Sequence, residues 1–323
     1  MKKGLLLMLV VSLAIALICI PVSAKTFISI ATGGTGGTYY PLGGGMAEIF
    51  NEKLDYVNAT AEVTGASVEN CRLVQNGQVE LAMVQNNVTF YAVNGTELFE
   101  DKALPDIRGI AMLYPEIIQI VTTEESGIDS VKDFKGKKIA VGAPGSGTEA
   151  DARHIIKAHG LTYDDMTVDY LSFAEAVDSI KDGHVDAAFL TGGVPTAAVM
   201  DLAATHNVKL VEVSTDYINK LHKKYPFYTK ISIPKGTYSG QEEVVQTVTV
   251  QAMIVTNKNC DKELVYDLTK SIFNNLDKLG QIHAKGKNIK LHTALVGMPI
   301  ELHPGTKQFF REEYKGIMEL LDY

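Results

Sequence analysis

The chain runs through one order of features twice, once in each half, and that repeat restricts its fold more than any other property of the sequence. Residues 26–31 alternate as a strand, the loop Gly33-Gly34-Thr35-Gly36-Gly37-Thr38 follows, and a helical pattern continues through Met46 and Phe50. Residues 138–141 again read as a strand, followed by Gly142-Ala143-Pro144-Gly145-Ser146-Gly147-Thr148 and a helix through Ala152 and Ile156. Next in the first half come a helix over 67–74, stopping near Asn76-Gly77, and a strand over 78–84 that ends in Gln85-Asn86-Asn87. The second half answers with a helix over 174–180, stopping at Gly183, and a strand over 184–190 that runs into Thr191-Gly192-Gly193. Gly77 and Gly183 stand where a helix C′ position demands positive φ. Strand, glycine loop, helix, strand, helix, strand, used twice, implies an α/β chain of two lobes with mainly parallel sheets.

Residues 117–122 are predicted to leave the first lobe as a strand and residues 248–255 to return as another. A helical apolar pattern then covers 262–279. Lobe 1 is therefore expected over 25–117 plus 252–323, and lobe 2 over 118–251. A ligand cleft is expected between them, at the carboxyl ends of the parallel strands.

The first 24 residues have the layout of a secretory signal: Lys2 and Lys3, an apolar run to Ile20, Pro21, then Val22-Ser23-Ala24 as a cleavage site. The run falls short of the ~20 residues of a spanning helix, so a cleaved signal and a periplasmic location are expected, with a retained N-terminal anchor as the alternative. Removing two lysines takes the formal charge from −8 to about −10. An acidic surface without a basic block argues against nucleic acid and anionic membrane as partners. Export also bears on Cys71 and Cys260, which are able to pair in an oxidising compartment; two buried free thiols are the alternative.

The glycine loops carry the best candidate chemistry. Gly34, Gly36 and Gly37 let the backbone approach a ligand, and the helix that follows aims free N–H groups and its positive dipole end at an anion. Thr35 and Thr38 flank those glycines. Gly145, Ser146, Gly147 and Thr148 offer the same physics from the other half. Tyr39 and Tyr40 either cover a ligand or pack beneath the loop. The strand ends Gln85-Asn86 and Gly192-Gly193 fall where the cleft is expected. About five hydrogen bonds of 1.5–3 kcal/mol to a charged group suffice for micromolar binding once association is offset. No arginine clamp is needed, and none of Arg72, Arg108, Arg153 and Arg311 adjoins either loop.

Other chemistries lack their residues. Gly145-Ser146-Gly147-Thr148-Glu149-Ala150 fits a relaxed dinucleotide pattern, but loop one has Tyr39 at its third glycine position, and neither loop ends as a Walker phosphate loop does. His154 and His159 lack the spacing of a zinc helix, and His283, His292 and His303 are scattered. No nucleophile elbow occurs. The reading is a binding protein and not an enzyme, with no cofactor and no metal.

Residues 30–41 (Ile-Ala-Thr-Gly-Gly-Thr-Gly-Gly-Thr-Tyr-Tyr-Pro) resemble the opening of TAXI proteins, the solute receptors of one class of TRAP transporter. Residues 64–70, the strand end 84–86, and residues 145–149, 233–238 and 303–305 are similar to that family as well. The resemblance implies a type II periplasmic-binding fold and delivery of a glutamate-like or dicarboxylate ligand, such as 2-oxoglutarate, to ion-gradient-driven TRAP membrane subunits. It implies that both glycine loops, Gln85 and Gly192-Gly193 line the cleft, with Tyr228 reaching it from a later loop. Asn87 stands where relatives often carry an acidic residue; if it touches ligand, an acid without an amino group is favoured. The alternatives are the receptor of an ATP-driven importer, an exported hydrolase on a similar frame, and a surface sensor module. A monomer is expected, because a receptor that opens, closes and docks gains nothing from a permanent partner.

Overall fold

In the computed structural model, which describes residues 25–313, ten strands join in one mixed sheet. The signal segment expected over 1–24 lies outside the described residues. β1 (Thr26–Ala31), α1 (Tyr39–Lys53), β2 (Val57–Glu62), α2 (Ser67–Gln75) and β3 (Leu81–Gln85) form the first repeat. α3 (Asn86–Asn94) and the long β4 (Ile107–Thr123) follow. The second repeat is β5 (Lys138–Ala140), α4 (Gly147–Ala158), β6 (Thr167–Asp169), α5 (Phe173–Lys181) and β7 (Ala187–Gly192). Then come α6 (Ala197–Ala203), β8 (Val208–Leu210), α7 (Thr215–Lys224), β9 (Thr229–Ile233) and β10 (Val245–Asn257). The described chain closes with α8 (Lys262–Phe273), α9 (Leu276–Ile282) and α10 (Pro304–Glu313).

The strands lie in the order β2-β1-β3-β10-β4-β7-β5-β6, with β8 beside β4 and β9 beside β10. β1 is parallel to β2 and β3, and β5 is parallel to β6 and β7. The parallel character expected of each half thus resides in these two triplets. They are not separate sheets, because β10 runs antiparallel to β3 and β4, and β4 runs antiparallel to β7. Seventeen residues of β4 reach ~55 Å at a strand's rise per residue. One strand can therefore bond β10 along its first part and β7 along its last.

The sequence reading started β4 only at residue 117, ten residues after its observed start. Here Pro115 lies opposite Gln251, and the register shifts between Gln251 and Met253. Such an irregularity is where a strand tolerates proline. Of the polar stretch read as the end of β3, Gln85 does end the strand, whereas Asn86-Asn87 open α3. The helix expected over 262–279 breaks at Asn274-Asn275 into α8 and α9. Gly77 and Gly183 do carry positive φ, 64° and 69°.

One apolar cluster joins the halves, packing Val68, Cys71 and Phe99 with Phe134, Ile155 and Phe189. Another lies under α1, α8 and α10, around Phe50, Phe309 and Phe310. Cys71 and Cys260 are free thiols: Cys71 belongs to the first cluster and Cys260 packs against the second. Burial pushes the Cys71 thiol up to about 12, so it is inert at neutral pH. Among the described residues no helix is long and apolar enough to cross a membrane.

Candidate functional site

A cavity of about 290 Å³ opens where the two glycine loops meet. It is built by carboxyl ends of parallel strands and by the helices that follow them. Gln85 ends β3, and Thr191 lies near the end of β7. Thr38-Tyr39, Ala66-Ser67, Ser146-Gly147-Thr148 and Ser172-Phe173 bring the starts of α1, α2, α4 and α5 to its wall. Four helix N-termini around one cavity favour an anionic group there.

The halves are bonded across this cavity. The backbone N–H groups of Val68 and Glu69 both donate to the Gly145 carbonyl, at 3.0 and 3.1 Å. The Gly193 N–H donates to Thr38 Oγ at 3.1 Å. Gly65 faces the Pro144 carbonyl so closely that an added Cβ would lie 2.6 Å from it. Gly36 rests against Ala174 and Ala198, and Gly37 against Phe173. Next to Gly65, Ala66 holds a positive φ of 72°, a strained conformation for a residue with a Cβ and one that clusters at binding sites.

Donors and acceptors are both left over in the wall. The backbone N–H groups of Tyr39, Ser67, Gly147 and Thr148 make no hydrogen bond within the described protein. Gln85 gives its Nε2 to Asp151 at 3.1 Å, which orients the amide and leaves Oε1 buried without a partner. Glu116, on β4, accepts the Tyr39 hydroxyl on Oε2 at 2.7 Å, and no hydrogen bond of the described protein reaches Oε1. Among the described residues no lysine, arginine or histidine lines the wall; its charged side chains are Glu116 and Glu175. Burial, with Asp151 nearby, pushes the Glu116 carboxyl well above the usual carboxylate range. Glu175 is occupied capping α5, where the Ser172 hydroxyl and then the Ser172 backbone N–H hold it low.

Behind Gln85 lies a buried polar cluster. Asp151 accepts hydrogen bonds from the Tyr228 hydroxyl (2.7 Å), the Thr191 hydroxyl (2.9 Å), Gln85 Nε2 (3.1 Å) and Asn87 Nδ2 (3.2 Å). Tyr228 also meets His154 Nδ1 at 2.9 Å, and His154 stacks on Tyr225. Burial drives His154 down to about 3, so its approach to Glu97 is not an ion pair at neutral pH.

Burial raises Asp151 from 3.8 to about 6, outweighing its four hydrogen bonds. A value higher in the folded chain than in the unfolded one means that folding favours the protonated side chain. That stabilisation is complete below about pH 4 and is lost as pH rises through about 6. The melting temperature of the wild type relative to Asp151→Asn should therefore fall between pH 4 and pH 6.5 and then level off. Parallel melting curves for the two proteins would refute the assignment.

Of the residues expected in the cleft, Gly34, Thr35, Gly37, Thr38, Tyr39, Gln85, Ser146, Gly147 and Thr148 line the cavity. Gly36, Gly145, Gly192 and Gly193 lie just behind it, holding the loops together. Tyr40 is turned out and 37% exposed, whereas Tyr39 packs beneath loop one onto Glu116. Asn86 is engaged by the Gln251 N–H at 3.0 Å. Tyr228 is fully buried in the polar cluster and does not reach the cavity. Nor does Asn87, so the inference hung on its touching ligand does not apply. Glu116, Val63-Thr64-Gly65-Ala66-Ser67, Ser172-Phe173, Glu175 and Thr191 are among the wall residues that the sequence reading did not place in the site. Glu116 had a signal: it is the single carboxylate in the apolar run 109–121.

A sequence profile described as the NMT1-like family matches residues 30–313. Among solved structures, PhnD1 of Prochlorococcus marinus MIT 9301, in complex with methylphosphonate, is similar with 12% identity, 92% of this chain, 99% of that chain and a TM-score of 0.54. The binding protein component of an ABC phosphonate transporter of Pseudomonas aeruginosa is similar with 12% identity, 82% of this chain, 80% of that one and a TM-score of 0.51. At these identities the likeness shows the fold alone, the α/β architecture of type II periplasmic binding proteins.

Proposed function

The chain belongs to the NMT1-like family, and on that premise we propose that it is an extracytoplasmic solute receptor for a small organic or amino acid. It captures the ligand in the cavity between its repeats and hands it to a membrane importer. The carrying observation is that unmet backbone donors and unmet side-chain acceptors face one cavity roofed by both halves. A cavity of about 290 Å³ is at the small end of ligand sites, which suits an acid of a few carbons. In this reading 25–117 plus 252–323 and 118–251 act as two lobes. They open about β4 and β10 and close through the Gly145, Thr38 and Gly65 contacts.

Two importer types are open to such a receptor. The Pseudomonas relative is a component of an ABC transporter, which supports delivery to an ATP-driven importer. Delivery to TRAP membrane subunits rests on the resemblance of the glycine loops to TAXI receptors and is the second reading. Uptake that survives collapse of ion gradients but fails on ATP depletion favours the first; the reverse favours the second.

A thermal-shift screen tests the receptor itself. Stripped of co-purified ligand, the mature chain is offered amino acids, dicarboxylates, 2-oxo acids, phosphonates, sugars and nucleotides. A true ligand at a hundred times its Kd adds about 2.7 kcal/mol, or several degrees. A shift confined to small acids is expected. No shift with any acid, or a shift with nucleotides alone, contradicts the reading.

A further inference from the structure

The cavity has two chemically opposite poles, and the second is not explained by holding an anion. At one pole the free N–H groups of Tyr39, Ser67, Gly147 and Thr148 call for an acceptor. At the other, Gln85 Oε1 calls for a donor, and so does Glu116 Oε1 once its carboxyl is ionised. Neither acceptor is free to turn away: Tyr39 pins Glu116 and Asp151 pins the Gln85 amide. Both side chains are 2% exposed. A buried polar atom without a partner is costly, and a ligand that meets both poles removes both costs. Resting on the receptor reading, we propose that Glu116 is the specificity-determining residue of the cavity and selects a ligand that carries a protonated amine beside its carboxylate.

The proposal fixes the proton balance of capture. The groups facing Glu116 are Tyr39 on α1, Tyr114 on its own strand β4 and Asp151 on α4; no lysine, arginine or histidine lines the cavity around it. In the empty cavity burial favours the neutral carboxyl. An arriving ammonium favours the carboxylate, so the Glu116 O–H bond breaks, the proton passes to solvent, and an N–H···O pair to the ligand takes its place. Amino-acid binding therefore releases up to one proton per ligand, and affinity rises with pH until Glu116 is ionised in the free protein. A 2-oxo acid of the same carbon skeleton carries no ammonium and releases none.

Calorimetric titration of wild type and Glu116→Gln with L-glutamate against 2-oxoglutarate, and L-alanine against pyruvate, in two buffers of different ionisation enthalpy, tests this. In the wild type the amino acid of at least one pair should bind with buffer-dependent heat. Glu116→Gln should weaken it at least ~30-fold, as expected for losing one partner of a buried charged pair, remove the buffer dependence, and weaken the 2-oxo acid far less than the amino acid. The wild-type buffer dependence needs no variant to fold. A wild type that binds only 2-oxo acids, or amino-acid binding indifferent to Glu116→Gln and to buffer, overturns the inference and leaves the receptor reading standing. No binding by any small acid overturns both.

Discussion

Asp151→Ala is expected to cost about 3–5 kcal/mol of stability and to lower the melting temperature by about 10 °C. Four buried donors converge on that carboxylate: Tyr228, Thr191, Gln85 and Asn87. Two come from the first repeat and its following helix, two from the second repeat and the later chain. Truncation takes that acceptor from all four in a place where water is scarce; Tyr228 keeps His154 Nδ1 within reach and Asn87 keeps a long bond to Tyr228. Asp151→Asn should lie between wild type and alanine at neutral pH, because an amide accepts on one side but opposes a donor on the other. Ligand affinity should fall as well, since Gln85 loses the bond that orients it. Chemical and thermal melts at pH 7 check the prediction. A change below about 1 kcal/mol, the scale of a surface substitution, would mean that the cluster is solvated and carries little of the fold.

Gly65→Val is expected to separate binding from stability. Its Cβ would sit 2.6 Å from the Pro144 carbonyl and 2.6 Å from Glu69 Oε2. The glutamate end can swing aside; the Pro144 backbone, which belongs to the opposite glycine loop, cannot. The wedge therefore bears on closure, and the cost falls on the state that holds ligand. Affinity should drop at least ~100-fold, the order expected when a few kcal/mol of strain is added only to the bound form. The melting temperature without ligand should change by no more than a few degrees. Gly65→Val that binds as wild type would show that the Gly65–Pro144 approach is not needed for capture.

The repeat was legible because its signals are local. A glycine at the end of each helix, an apolar alternation before each glycine loop and a helical spacing after it are set by neighbours in sequence, and β1–β3 and β5–β7 formed where those signals lay. The joining of the two triplets was not legible: that β4 runs on for 17 residues depends on its pairing with β10, more than a hundred residues away. The anion-facing part of the site was readable for the same local reason, since Thr38, Gly147 and Thr148 sit at helix starts.

The acceptor side was not. Glu116 became a wall residue through the alignment of β4 beside β10, and Thr64-Gly65-Ala66 through the approach of Pro144. Both are tertiary facts. Asp151 left one faint trace, falling one turn before Ile155 on the buried face of α4, where a carboxylate needs a partner. Tyr228 was expected in the cleft because the resemblance to TAXI receptors implied it; its hydroxyl instead supports the cluster behind Gln85.

The most direct test is calorimetric titration of the ligand-stripped chain with the small acid selected by thermal shift. The account predicts one ligand per chain at micromolar Kd or tighter, with binding lost in Gly65→Val although that variant remains folded. A silent titration with every small acid, or binding untouched by Gly65→Val together with Gly147→Val, would contradict a solute site in this cavity.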